Sequence, residues 1–599
     1  MTIISRSAAA VTFALCLAAT GGCAALDGGE DEVIGPELQP GGLLGKADSA
    51  GVAGLPVETA DLDTQVWTVK NQWEDRYTMA AMASGPAWSM MSGLTWDQKY
   101  SAWIDSLEKT PGYQTYYDTF YLMTPWGKKM PAPKLECAET AMFLRATFAS
   151  WYNLPFYMEA YDDNGGRVFF GHFGIRNKNG RYQNMPLYAS AYKDYTDEYG
   201  SRSGDDLVAN WPKDAKLRSK KLLKSNENGD NDLQPFIAPD AHVGAYFDEI
   251  FLNKRAGYFI IMLLEYFGSV NLTDSRNTYN LLPQAIRAGD VLLERWQAKG
   301  IGHTLVTKKV AQLPDGKTMA ELVSGSMPRR LGMWVDAYTS KGYYTNEYMG
   351  GEGATTEGIP YVKLGGGLKR FRVAKDVKGS WTNSWMSADE ASWISDDNWD
   401  RLKTRPKEFD ALLGEPPVEE QRESLLRQIE DARKHLRNYP ASCSARENRE
   451  RAFSKLYSLS SRAWQEYGEA VDKKYRNVED YVFAELEYTK AKTCCWNSSN
   501  GAMYQIIMDY VNSVRGAGQA CVEPPVFKAQ GGGYQVFKDF AASTGRAAQW
   551  KDWSEDEPCD QRAVVDDEEK YHDATPWCTV IAPPPPEPTP EPQPEPTPP

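Results

Sequence analysis

The sequence predicts an α+β protein with two folded parts, and three observations carry that expectation. A strong helical pattern opens directly at Cys137; short strand-like runs follow it; and beyond about residue 404 the composition turns to charged amphipathic helices. The 599 residues are enough for two to four domains. A net charge of −15 leaves no basic surplus to neutralise phosphates, which argues against a nucleic-acid partner.

The first 22 residues read as an export signal: Arg6, an apolar run from Ala8 to Ala19, then small residues. The segment Leu17–Cys23 resembles a bacterial lipobox, and cleavage before Cys23 would leave a lipidated N-terminal cysteine that anchors the chain to a membrane. Thr20 stands where such motifs usually carry an aliphatic residue, so ordinary signal-peptidase cleavage nearby is the alternative. Either route exports the chain to the cell envelope. Ala24 lacks the acidic character that retains many lipoproteins at the inner membrane, which points to the outer membrane or cell surface. Residues 23–60, rich in Gly, Pro, Asp and Glu, read as a flexible tether. Nothing downstream is a long enough apolar run to span a bilayer; the nearest, Ala256–Phe267, contains Glu265.

Residues 61–404 form the expected α+β domain. Trp67–Met91 and Trp96–Leu107 read as helices leading to Cys137. Pro131 and Pro133 cannot continue a helix, so the next one starts close to the cysteine. Phe156–Ala160 and Arg167–Ile175 read as strands joined by the turn Asp162–Gly166, and Val243–Tyr266 as helix. Gly289–Leu293, Gly302–Val306 and Ala320–Val323 read as consecutive strands, with Pro314–Gly316 turning the last pair. The 19 tryptophans point to a Trp-rich core rather than a carbohydrate-stacking surface.

Residues 405–580 read as helices, Glu419–Leu436, Glu447–Tyr475 and Val478–Thr493, and hold Cys443, Cys494, Cys495, Cys521, Cys559 and Cys578. An even set in an exported chain implies three disulfides. Residues 581–599 alternate Pro with Glu, Thr and Gln, as an extended spacer does.

That arithmetic leaves Cys137 alone, and an unpaired cysteine in an exported chain is a candidate reactive thiol. In the first turn of a helix it faces unpaired N–H groups and the positive dipole end, which favour thiolate. A buried inert thiol is the competing reading. The five histidines are His172, His242, His303, His435 and His572. No close histidine pair or H-E-x-x-H motif occurs, so neither a metal centre nor a cofactor is expected.

A helix-opening cysteine, then Gly289-Asp290 before an aliphatic strand, then Gly302-His303 before another, resembles the papain-like cysteine hydrolases of the NlpC/P60 and CHAP type. The resemblance covers about a tenth of the chain, and the long gap from Cys137 to His303 implies an insertion around 176–285. It implies a papain-like fold for the α+β domain, which the all-α, disulfide-stabilised domain read from composition and cysteine count then follows. It also implies amide hydrolysis, with Cys137 as nucleophile, His303 as base and a peptide or peptidoglycan-like substrate. Glu321, on the strand after His303, or Asn383, in an Asn-Ser-Trp sequence like that of papain, would orient the imidazole. A transglutaminase-like acyltransferase or protease using Cys137, His172 and Asp194 is the rival reading. A cell-surface binding lipoprotein without activity is the non-enzymatic one.

Overall fold

The computed structural model describes residues 38–39, 52–57, 61–112, 117–202, 204–222, 233–298, 302–327, 329–438, 443–482, 501–514 and 532–550. The chain is a mixed α+β protein and divides into two units, Met1–Pro416 and Pro417–Pro599.

The first unit is built on a seven-stranded antiparallel sheet. Its strands run in the order Met333–Val335, Thr318–Ser324, His303–Gln312, Val291–Glu294, Gly367–Phe371, Thr278–Leu281 and Trp393–Ile394. Both faces are covered, so its strands are apolar on each side. Val291, Leu293, Val306 and Val323 join the core that includes the Cys137–Trp151 helix. Leu292, Leu305, Leu322 and Leu368 join a second core with Tyr344 and Phe409, on the helices Ala337–Tyr344 and Arg405–Leu412. Gly289 has φ +92°, and Thr307 bonds to both it and Asp290 at 2.8 Å. That bulge needs a glycine, and the Tyr100 ring lies where a Cβ would go.

The Cys137 helix is enclosed on all sides and buried from Ala138 to Ser150, with its two charged residues, Glu139 and Arg145, in ion pairs with Arg329 and Asp97. Phe148 sits among Trp73, Trp88, Trp96, Tyr100 and Trp103, so these tryptophans are core residues. The helix expected over 67–91 is confined to Met79–Met82. The indoles of Trp67 and Trp73 donate to the carbonyls of Leu154 and Pro155, at 2.9 and 2.7 Å, which holds this stretch extended along the 150s loop. The run Val243–Tyr266 is two helices, Val243–Ile250 and Lys254–Tyr266. Asn253 parts them, capping Arg255 N with its Oδ1 and donating from Nδ2 to Val66 O.

Part of the expected tether is folded. Leu38–Gln39 pairs with Tyr157–Asp162, and Val52–Pro56 pairs with Ser380–Ser384, where Leu55 is buried against Tyr157, Phe169 and Trp381. The domain boundary expected at 404 falls after Pro416. Arg405 is buried and donates to the carbonyls of Gly366 and Leu368 at 2.9 Å, which ties its helix to the sheet.

In the second unit every described element is helical: Val418–Asn438, Cys443–Trp464, Gly468–Tyr475, Val478–Val482, Gly501–Val514 and Gly532–Ser543, with a 3-10 turn at Ala547–Gln549. Met503, Tyr504, Ile507 and Phe537 form its core with Leu436 and Val478. Arg437 pairs with Glu479 at 3.0 Å and Arg449 with Asp480 at 3.3 Å. The signal, Cys23, five of the six C-terminal cysteines and the Pro-rich tail lie outside the described residues, as does the side chain of Cys443, so the bridges expected there do too. Among the described residues no helix is long and apolar enough to cross a membrane.

Candidate functional site

Cys137 is the first residue of its helix, as its sequence context requires. Glu139 fixes that start. Its carboxylate accepts from the Glu136 N–H at 2.7 Å and receives both Nε and Nη2 of Arg329, the latter at 2.7 Å. Gly325, which follows the Thr318–Ser324 strand, lets the helix start approach. A Cβ there would lie 2.3 Å from Glu136 O and 2.4 Å from Leu135 O.

The thiol meets the beginning of the His303–Gln312 strand. Cys137 Sγ is 3.8 Å from Gly302 O, and the backbone N–H groups of Thr304 and Ala138 also favour the ionised sulfur. His303 lies between those two strand residues. Strand alternation puts its ring on the Leu305 face, with Nε2 3.4 Å from Ser324 Oγ and the ring 6.1 Å from that of Tyr343. The Cys137 helix packs on the opposite, Val306 face, so the ring is turned away from the thiol, and among the described residues no hydrogen bond joins the two.

Burial sets the charge state of both groups. It pushes the Cys137 thiol up to about 11, and the Glu136 and Glu139 carboxylates add to the rise against the two N–H groups. It pushes the His303 imidazole down to about 4. The depressed thiol expected from the helix start is therefore corrected: desolvation outweighs the helix terminus, and the resting pair is neutral.

The two sequence candidates for orienting the imidazole are elsewhere. Glu321 is paired in register with Lys309, six residues beyond His303, or about 20 Å along the strand. Asn383 is buried in the Val373–Asp376, Ser380–Ser384 and Val52–Pro56 sheet, and its Nδ2 donates to Arg276 O at 2.7 Å. Arg276 precedes the Thr278–Leu281 strand, three strands from His303, on the order of 14 Å across the sheet. The residues that do surround the His303 ring are Ser324, Tyr343 and Glu294, its cross-strand partner. Glu294 was legible in principle: the last residue of one hairpin strand stands opposite the first residue of the next.

His172 follows the Arg167–Gly171 strand and is a core residue. Its Nδ1 lies 3.1 Å from Phe156 N and 2.9 Å from Phe156 O, its ring packs on Trp381 at 4.5 Å, and burial lowers it to about 4. The Asp194 carboxylate accepts from Thr196 N and Oγ1, its backbone forms an isolated β-bridge with Asn253, and among the described residues no hydrogen bond joins it to His172. No cluster of three metal-ligating side chains occurs among the described residues. No family model, curated protein or solved structure matches the chain.

Proposed function

We propose that this protein is an exported cysteine hydrolase of papain-like type that cleaves an amide bond through a thioester. The observation that carries the reading is the placement of a free, partly exposed thiol at a helix start, against the backbone on either side of His303. In the reaction the His303 ring, which rests on the opposite face of the sheet from the Cys137 helix, turns at the strand end to take the Sγ proton as sulfur attacks the carbonyl carbon. First-turn N–H groups, with that of Thr304, receive the oxyanion. The imidazolium then protonates the departing amine, and water attacks the thioester with His303 again as base. Because the resting pair is neutral, proton transfer accompanies attack instead of preceding it.

Cell-wall peptide is the substrate class that the resemblance to NlpC/P60 and CHAP enzymes suggests, and a lipid on Cys23 would hold the enzyme at the envelope. The Cys137–His172 alternative has less support, since His172 is enclosed by aromatic rings. The test is incubation with peptidoglycan fragments, following release of new amino groups, together with labelling by a cysteine-directed activity probe. Wild type should react, and Cys137→Ala and His303→Ala should not. Equal turnover by the His303→Ala variant would remove His303 from the mechanism. Absence of both turnover and labelling in wild type would make Cys137 a structural thiol.

A further inference from the structure

The strand beside His303 ends in a buried carboxylate that has no cation beside it among the described residues. Glu294 and His303 are register partners in the antiparallel pair, so their side chains share a face with Cβ atoms about 5 Å apart. Glu294 is 8% exposed, and its hydrogen bond is a long one, from Asn346 Nδ2 at 3.5 Å. Among the described residues no Lys or Arg forms an ion pair with it.

The surrounding groups do not supply the missing charge. Tyr343 comes from the Ala337–Tyr344 helix, Asn346 follows that helix, and Ser324 comes from the neighbouring strand. The helix start, with Glu136 and Glu139, packs on the other face of the sheet. Arg295, which follows the strand, donates to the carbonyls of Gln297 and Ala298, and Arg405 to those of Gly366 and Leu368. A carboxylate buried this way is costly unless a charge forms opposite it. Burial places the Glu294 carboxyl at about 7 and the imidazole at about 4, so a proton arriving on the ring and a charge on the carboxylate each favour the other.

We propose that Glu294 is the positioning residue of this site, orienting the His303 ring and providing the counter-charge for the imidazolium formed when Cys137 gives up its proton. The proposal rests on the Cys137–His303 reading. In that step the Sγ–H bond breaks, an N–H bond forms on the ring and the electron pair stays on sulfur. Glu294, ionised, exchanges nothing.

The test uses the full chain and needs no substrate. Iodoacetamide labelling of Cys137 is followed from pH 5 to 10 in wild type, Glu294→Gln, Glu294→Asp and His303→Gln, and the histidine titrations are followed by NMR. Glu294→Gln should melt no lower than wild type at neutral pH, yet label about tenfold more slowly near pH 7. It should also lower the His303 titration midpoint, with Glu294→Asp restoring part of both effects. If His303→Gln alters labelling while Glu294→Gln leaves the rate and the His303 titration unchanged, Glu294 has no such role and the base assignment survives. If His303→Gln leaves the labelling profile of wild type intact, or native Cys137 does not label at any pH, the site reading itself fails and takes the proposal with it.

Discussion

His172 and Glu294 are both buried ionisable groups, and they make stability depend on pH in opposite directions. His172 titrates at about 4 when folded against an ordinary 6.5, so the unfolded chain binds more protons between those values. Its contribution is intact above pH 6.5 and lost as pH falls toward 4, on the order of 3 kcal/mol. Denaturant melts of His172→Gln should therefore show a shallower loss of stability between pH 6.5 and 4 than wild type. Glu294 titrates at about 7 against an ordinary 4.5. The folded state holds its proton more tightly, so stability is full below pH 4.5 and falls as pH rises through 7. Glu294→Gln should thus raise stability at pH 8 by about 1–3 kcal/mol and change it little at pH 4.5. A side chain that weakens the fold at neutral pH fits a role in chemistry better than one in packing.

At the scale of elements, the Cys137 helix is positioned by its first turn and by what packs around it. Glu139 caps that turn and holds Arg329, with both side chains buried. Glu139→Ala removes the cap and strands the guanidinium, and should cost roughly 3–5 kcal/mol in equilibrium unfolding. Gly325→Ala forces a Cβ against the backbone carbonyls of Leu135 and Glu136, so either strand or helix must shift. It should alter the Cys137 labelling rate more than a packing change elsewhere of equal stability cost. An unchanged rate would show that the thiol does not depend on this approach.

At the scale of the whole molecule, the boundary after Pro416 has an energetic consequence. Truncation after Pro416 should leave the melting transition of the first unit near its value in the full chain. Truncation after Thr404 removes Arg405, whose guanidinium satisfies the carbonyls of Gly366 and Leu368, and Phe409, which stacks near Tyr344 at 4.8 Å. That shorter chain should melt several degrees lower, because two buried carbonyls lose their donor and the second core loses its cover. Differential scanning calorimetry of the two truncations distinguishes the outcomes.

Much of the local structure was legible from residue order. The helix beginning at Cys137, the hairpin at Asp162–Gly166, the strands around Gly289 and His303 and the turn at Pro314–Gly316 follow from proline placement, turn chemistry and alternation. These are interactions between near neighbours in sequence. The composition likewise pointed to an α+β chain with a helical C-terminal part. What tertiary structure alone decided was long-range: the indole hydrogen bonds that keep 67–78 from becoming helix, and Arg405 drawing its helix onto the sheet. It also decided which polar side chain meets the imidazole. Glu321 and Asn383 suited that role by residue type, but strand register places Glu294 there. Desolvation then reversed the expected thiol acidity, because a helix start favours thiolate only where surrounding atoms do not exclude the water that would stabilise its charge.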